Sequence, residues 1–157
     1  MQSLKRGFSV VEIIVGAAVI AFSVTAILGV FQIYLKVSVR NSNKTQAVSL
    51  IGDAGEALHI MRDMSWNTNI APLLDNTTYY LVWNGSSYEA TTTETLIQNK
   101  YIRTVILSPI YRDGQDQIVS SGTLDENTRI ATIQVTLVDP GTVLKSSETL
   151  IHNVYDN

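Results

Sequence analysis

Three hydrophobic rhythms follow one another along the chain. From Ile13 to Phe31, IIVGAAVIAFSVTAILGVF, nineteen residues carry only Ser23 and Thr25 as polar side chains, and those hydroxyls can bond back to helix carbonyls. About 20 such residues cross a hydrocarbon core, so the run predicts a transmembrane helix. Past Leu35 the segment KVSVRNSNKTQAVSLIGDAGEALHIMRDMSW contains no proline. Its small and apolar residues Ala47, Ile51, Ala54, Leu58 and Met61 fall at alternating spacings of four and three, which draws one stripe on a helix. An amphipathic helix is expected over 36–66, with that stripe against a sheet. Gly52 and Gly55 each cost a helix about 1 kcal/mol relative to Ala, which predicts either close approach of the sheet or a bend.

From Thr78 the period becomes two, and a sheet is expected over 78–153. TYYLVW-NG-SSYEAT reads as a hairpin, with Asn84-Gly85 supplying the two positive-φ positions of a type I′ turn. YIRTVILSPIY reads as a strand in which Pro109 argues for an edge or a bulge. In RIATIQVTLV, Ala131, Ile133, Val135 and Leu137 alternate with polar residues, so one face is buried and one wet. Asp139-Pro140-Gly141 is a turn and VLKSSETLIHN a closing strand. Helix first, then strands with hairpin turns, predicts an α+β fold: a long N-terminal helix, transmembrane half plus amphipathic half, packed on an antiparallel β-sheet.

Charge and composition narrow the partners. The chain has 157 residues and a formal charge of −3, and past Leu35 there are nine Lys or Arg against thirteen Asp or Glu, with no basic block to follow a row of phosphates. Nucleic acid is not expected as a partner. The absence of cysteine removes disulfides, thiolate metal sites and cysteine nucleophiles together, so the globular part must hold by packing alone. Lys5 and Arg6 could open a secretory signal, but the apolar run exceeds the usual h-region of about 7–15 residues and no Ala-x-Ala follows it. A single-pass anchor is the better reading. Lys5 and Arg6 before the span are matched by Lys36, Arg40 and Lys44 after it, so charge alone leaves the orientation open.

Glu12 is the unexpected residue, because a carboxylate entering a membrane span costs a few kcal/mol (about 2.5–3.5) and usually has a partner or a function. It belongs to Gly7-Phe8-Ser9-Val10-Val11-Glu12, preceded by the short basic leader MQSLKR. This pattern closely resembles the N-terminal signature of type IV pilins and of the pseudopilins of type II secretion. Gly29 stands where many major pilins carry a proline, and Phe31 and Tyr34 match the aromatics after it. The resemblance spans about Lys5 to Tyr34 at motif level. It implies a prepilin leader over 1–7, a transmembrane and filament-core helix over 8–35, and a globular pilin-like domain over 36–157. It also implies cleavage by prepilin peptidase between Gly7 and Phe8, methylation of the new N-terminus, and pairing of Glu12 with the Phe8 amine of a neighbouring subunit. Such a pair attracts strongly where water is scarce, although desolvation takes back part of the gain. The implied location is the bacterial cytoplasmic membrane, globular domain outside the cytoplasm, and then a periplasmic or cell-surface filament. Gly29 in place of proline and the missing cysteines lean toward a minor pilin or pseudopilin.

Other chemistry is sparse. Asp113, Asp116, Asp125 and Glu126 in RDGQDQIVSSGTLDENT could offer oxygen ligands to calcium, but their spacing is not that of an EF-hand, and turns favour the same residues. His59 and His152 are far apart and read as surface residues. No Gly-x-Ser-x-Gly elbow occurs, so no enzyme is expected. Asn76-Thr77-Thr78 and Asn84-Gly85-Ser86 match a glycosylation sequon, which their turn character explains equally well. Tyr79, Tyr80, Trp83, Tyr88 and Tyr101 are expected as cross-strand pairs over the core rather than as a binding face. Lys36, Arg40 and Lys44, four apart, form a basic strip expected to face solvent or headgroups rather than an acidic neighbour. Two other classes compete with the filament subunit: a membrane-anchored surface binding module, and a surface enzyme for which no constellation is visible.

Overall fold

A computed structural model describes residues 9–154. Gly7 and Phe8 therefore lie outside the described residues. The first element, α1, is a single α-helix over Val10–Met64, and α2 is one turn over Trp66–Asn69. The strands are β1 (Thr78–Trp83), β2 (Tyr88–Thr91), β3 (Leu96–Ile97), β4 (Tyr101–Arg112), β5 (Ile118–Val119), β6 (Thr123–Leu137) and β7 (Val143–His152). The chain divides into two compact units, 1–42 and 43–157, and the boundary falls within α1.

In the first unit α1 runs unbroken through Gly29, and every described residue to Ser42 is exposed. Ser23 Oγ donates to the Val19 carbonyl at 2.8 Å and Thr25 Oγ1 to the Ala21 carbonyl at 2.9 Å, so both hydroxyls are satisfied by the helix itself. This helix is long and apolar enough to cross a membrane.

The second unit packs the rest of α1 on a seven-stranded antiparallel sheet of order β2-β1-β4-β6-β7, with β3 and β5 also paired to β4. Ala47, Ala54, Leu58 and Met61 of the predicted stripe are buried, and Ile51 is half-buried against them. Ala54, Ala57, Leu58 and Met61 meet Leu81, Val105, Leu107, Ala131, Ile133 and Ile151 of the sheet. The small alanines bring helix and sheet close. Gly52 and Gly55 do not, because a Cβ added at either would meet nothing within 4 Å. The helix is not interrupted there either, since α1 continues to Met64.

The helix ends two residues before the expected Trp66. Ser65 adopts an extended backbone and its Oγ accepts from the Thr68 N–H at 3.3 Å, starting α2, while Asn69 Nδ2 donates to the Met61 carbonyl at 2.9 Å. Each end is thus closed by a side chain.

One turn reading changes, and one of the two alternatives for Pro109 holds. The β1–β2 hairpin closes with Trp83 opposite Tyr88, leaving a four-residue loop in which Gly85 but not Asn84 has a positive φ. Asn84 acts through its side chain instead, its Oδ1 accepting from the Ser86 and Ser87 N–H groups at 2.9 Å each. Pro109 lies on β4 in the middle of the sheet, so it marks a bulge and not an edge. The β4–β6 register shifts between Pro109 and Ile110, leaving Glu126, Asn127 and Thr128 without β4 partners.

Candidate functional site

Glu12 lies in the first turn of α1, where its N–H donates to the Ser9 carbonyl at 3.0 Å, and its side chain is exposed. A carboxylate in the first turn also complements the partial positive charge of the helix N-terminus. From Glu12 onward α1 presents exposed apolar side chains such as Ile13, Ile20, Phe22, Ile27 and Phe31. An exposed apolar surface of this extent is of the kind a membrane span or an interaction site presents. Lys36, Arg40 and Lys44 are all exposed.

The acidic stretch Arg112–Thr128 is a strand pair rather than an open loop. β4 extends to Arg112, β5 pairs with it, and β6 begins at Thr123. Asp113 Oδ1 accepts from the Gln115 and Gln117 N–H groups at 2.9 Å each, closing the turn. Asp125 Oδ1 accepts from the Asn127 N–H at 3.0 Å, and its Oδ2 takes the Arg112 Nε–H at 2.7 Å. Arg112 Nη1 also reaches the Asp116 carbonyl at 2.9 Å. A shallow pocket of about 540 Å³ is lined by Arg112, Asp113, Asp116, Asp125, Asn127 and His152. Glu126 is not part of it and lines a separate pocket with Asp75 and Arg129.

Electrostatics here are those of an ion pair. The Asp125 bond raises the Arg112 pKa, with partial desolvation working against it. For Asp125, partial burial pushes the carboxyl up, but the Arg112, Thr128 and Asn127 hydrogen bonds outweigh it and hold the pKa below its usual value. Among the described residues no group of three or more His, Cys, Asp or Glu is arranged to hold a metal ion. Of the four calcium candidates, Asp125 is engaged by a guanidinium, Asp113 by its own turn, and Glu126 faces elsewhere.

The remaining residues singled out in the sequence separate. His59 is half-buried and not a surface residue, and its Nδ1 is enclosed without a hydrogen-bond partner among the described residues. His152 Nδ1 pairs with Thr128 Oγ1 at 2.9 Å. Tyr79 and Tyr101 are buried. Trp83 and Tyr88 form an edge-on cross-strand pair with ring centroids 5.0 Å apart. Sequence reading missed Arg103, whose guanidinium is enclosed between α1 and the sheet. Its only sequence signal is a charge on a strand otherwise rich in apolar residues.

No family model, curated protein or solved structure matches the chain.

Proposed function

We propose that the chain is a type IV pilin-like filament subunit, a minor pilin or a secretion pseudopilin, and that its role is structural rather than catalytic. The single observation that carries this reading is the pattern Gly7-Phe8-Ser9-Val10-Val11-Glu12 set directly against a helix whose apolar side chains are exposed. A helix of this kind is stored in the cytoplasmic membrane and passes into a filament core, where neighbouring helices replace lipid. Lipid and helix core are similarly apolar, so transfer depends on packing at small residues such as Gly16, Ala17, Ala18 and Ala21, and on the charge of Glu12. Glu12 neutralises the Phe8 amine of a neighbour and sets the axial register. The partners are the membrane, prepilin peptidase and other pilin or pseudopilin subunits.

The experiment is N-terminal sequencing and intact mass of the protein expressed with and without a prepilin peptidase. A chain beginning at N-methylated Phe8 only when the peptidase is present is expected. A chain beginning at Met1 in both samples overturns the reading in favour of a membrane-tethered surface module.

A further inference from the structure

The loop between β1 and β2 sets two neighbouring residues in position to react with each other. Trp83 lies opposite Tyr88, and Asn84 and Gly85 head the loop between them. Asn84 Oδ1 accepts from the Ser86 N–H at 2.9 Å, the Ser87 N–H at 2.9 Å and the Ser86 hydroxyl at 3.0 Å. Bonding to the N–H two residues on folds the side chain back along its own backbone, past the Gly85 peptide. Asn84 Nδ2 donates to Ser87 Oγ at 3.1 Å and to a carboxylate oxygen of Glu89. Asn84, Gly85, Ser86 and Glu89 are all exposed, so water reaches them.

Donors aimed at a carbonyl oxygen favour attack on its carbon, because they stabilise the negative charge that gathers on the oxygen as the new bond forms. Two backbone N–H groups and a hydroxyl meet Asn84 Oδ1 in this way. The nucleophile nearest along the chain is the Gly85 backbone nitrogen, and glycine has no side chain to obstruct its approach. The nitrogen that must leave is Nδ2, which departs only once it has gained a proton. A carboxylate in contact with it can deliver that proton, and Glu89 is in contact. Nucleophile, oxyanion donors and proton carrier thus meet at one amide carbon.

We propose that Asn84 and Gly85 form a self-modification site, at which the folded loop converts Asn84 to aspartate and isoaspartate through a succinimide. The Gly85 nitrogen bonds to Asn84 Cγ while its proton passes through solvent water to Glu89 and from there to Nδ2. The Cγ–Nδ2 bond then breaks and ammonia leaves. Water adds to one of the two ring carbonyls and opens the ring to aspartate or isoaspartate. Either product loses the Nδ2 donors and sets a second carboxylate beside Glu89. Isoaspartate also lengthens the main chain in a hairpin whose register depends on loop length, so the reaction loosens the β2 edge of the sheet. The inference is independent of the filament reading, because it uses one hairpin of the second unit alone.

The test is peptide mapping by mass spectrometry of the full chain held at neutral pH in detergent micelles, and of the same chain unfolded in urea. Isoaspartate is labelled with an isoaspartyl methyltransferase, and the succinimide is trapped by hydroxylamine, which cleaves the chain between Asn84 and Gly85. Asn84 is expected to convert about tenfold or more faster folded than unfolded, an exposed loop keeping only part of what preorganised donors give in a dry site. Asn76, Asn99, Asn127 and Asn153, each followed by a residue with a side chain, should lag behind it. Glu89→Gln should slow the folded chain by about tenfold and leave the unfolded rate unchanged. Conversion at Asn84 that is no faster folded than unfolded overturns the proposal, since the hydrogen bonds would then hold the side chain inert. A folded rate untouched by Glu89→Gln, or conversion with no hydroxylamine-trapped intermediate, overturns it as well.

Discussion

Arg112 and Asp125 are thirteen residues apart in sequence and joined at 2.7 Å, Nε to Oδ2, across the distal ends of β4 and β6. The pair sits just beyond the register shift at Pro109 and Ile110, so it pins the strands where ladder pairing resumes. It also converts a stretch that reads as an acidic loop into a closed β-arm.

Because the native pKa of Asp125 lies below the ordinary aspartate value of about 3.9, its ionised form favours the folded state. That contribution is complete above the ordinary value and disappears as pH falls through the lowered native one. Chemical unfolding followed from neutral to acid pH should show Asp125→Asn less stable than the parent at neutrality. The difference should close at the acid end. A difference that stays constant with pH would mean the pair acts by packing and not by charge.

Calcium should leave the unfolding midpoint unchanged in the parent protein, because Asp125 is committed to Arg112 and Asp113 to its own turn. Thermal unfolding with calcium and with chelator is the check. A midpoint that rises with calcium would show that the guanidinium gives way to a metal ion.

Gly52→Ala should stabilise the protein by about 0.5–1 kcal/mol, since the position is inside a helix and an added Cβ meets no atom within 4 Å. Gly55→Ala should behave alike. Denaturant melts at neutral pH measure both, and a loss of stability would reveal a contact that the isolated chain lacks, such as a neighbouring subunit retained in the sample.

Leu58→Ala should destabilise by about 2–5 kcal/mol, as it removes a buried side chain between helix and sheet. Replacing exposed Ile60 by Ala should cost far less. Comparing their unfolding midpoints tests which face of α1 carries the packing.

Asn84→Ala should cost about 1 kcal/mol, since the side chain holds two loop N–H groups in the β1–β2 turn. Asn84→Gly, which would suit a positive φ, should not rescue it. Full rescue would mean that backbone conformation, and not the side-chain acceptor, is what the turn requires.

Local periodicity was enough to read much of the fold. The stripe Ala47, Ala54, Leu58, Met61 and the alternation Ala131, Ile133, Val135 were legible because each is repeated within one element, and burial follows directly from that repeat. The strand Thr78–Trp83 and the apolar run of α1 were legible for the same reason. The turns were less so, because Asn84 can serve a turn through its backbone or its side chain and composition does not distinguish the two. The candidate sites were least legible. Arg112 meets Asp125 only once β4 and β6 are in register, and Arg103 meets Leu50 and Leu81 only once α1 lies on a sheet that β1 has left. Those contacts depend on which strands pair and where they part. By itself the sequence determined the helix, β1, β2, β4, most of β6 and β7, each a property of neighbours along the chain, but not β3 and β5, which are two residues long and defined by their pairing with β4. The tertiary structure decided which charges meet, because that is a property of distance in space.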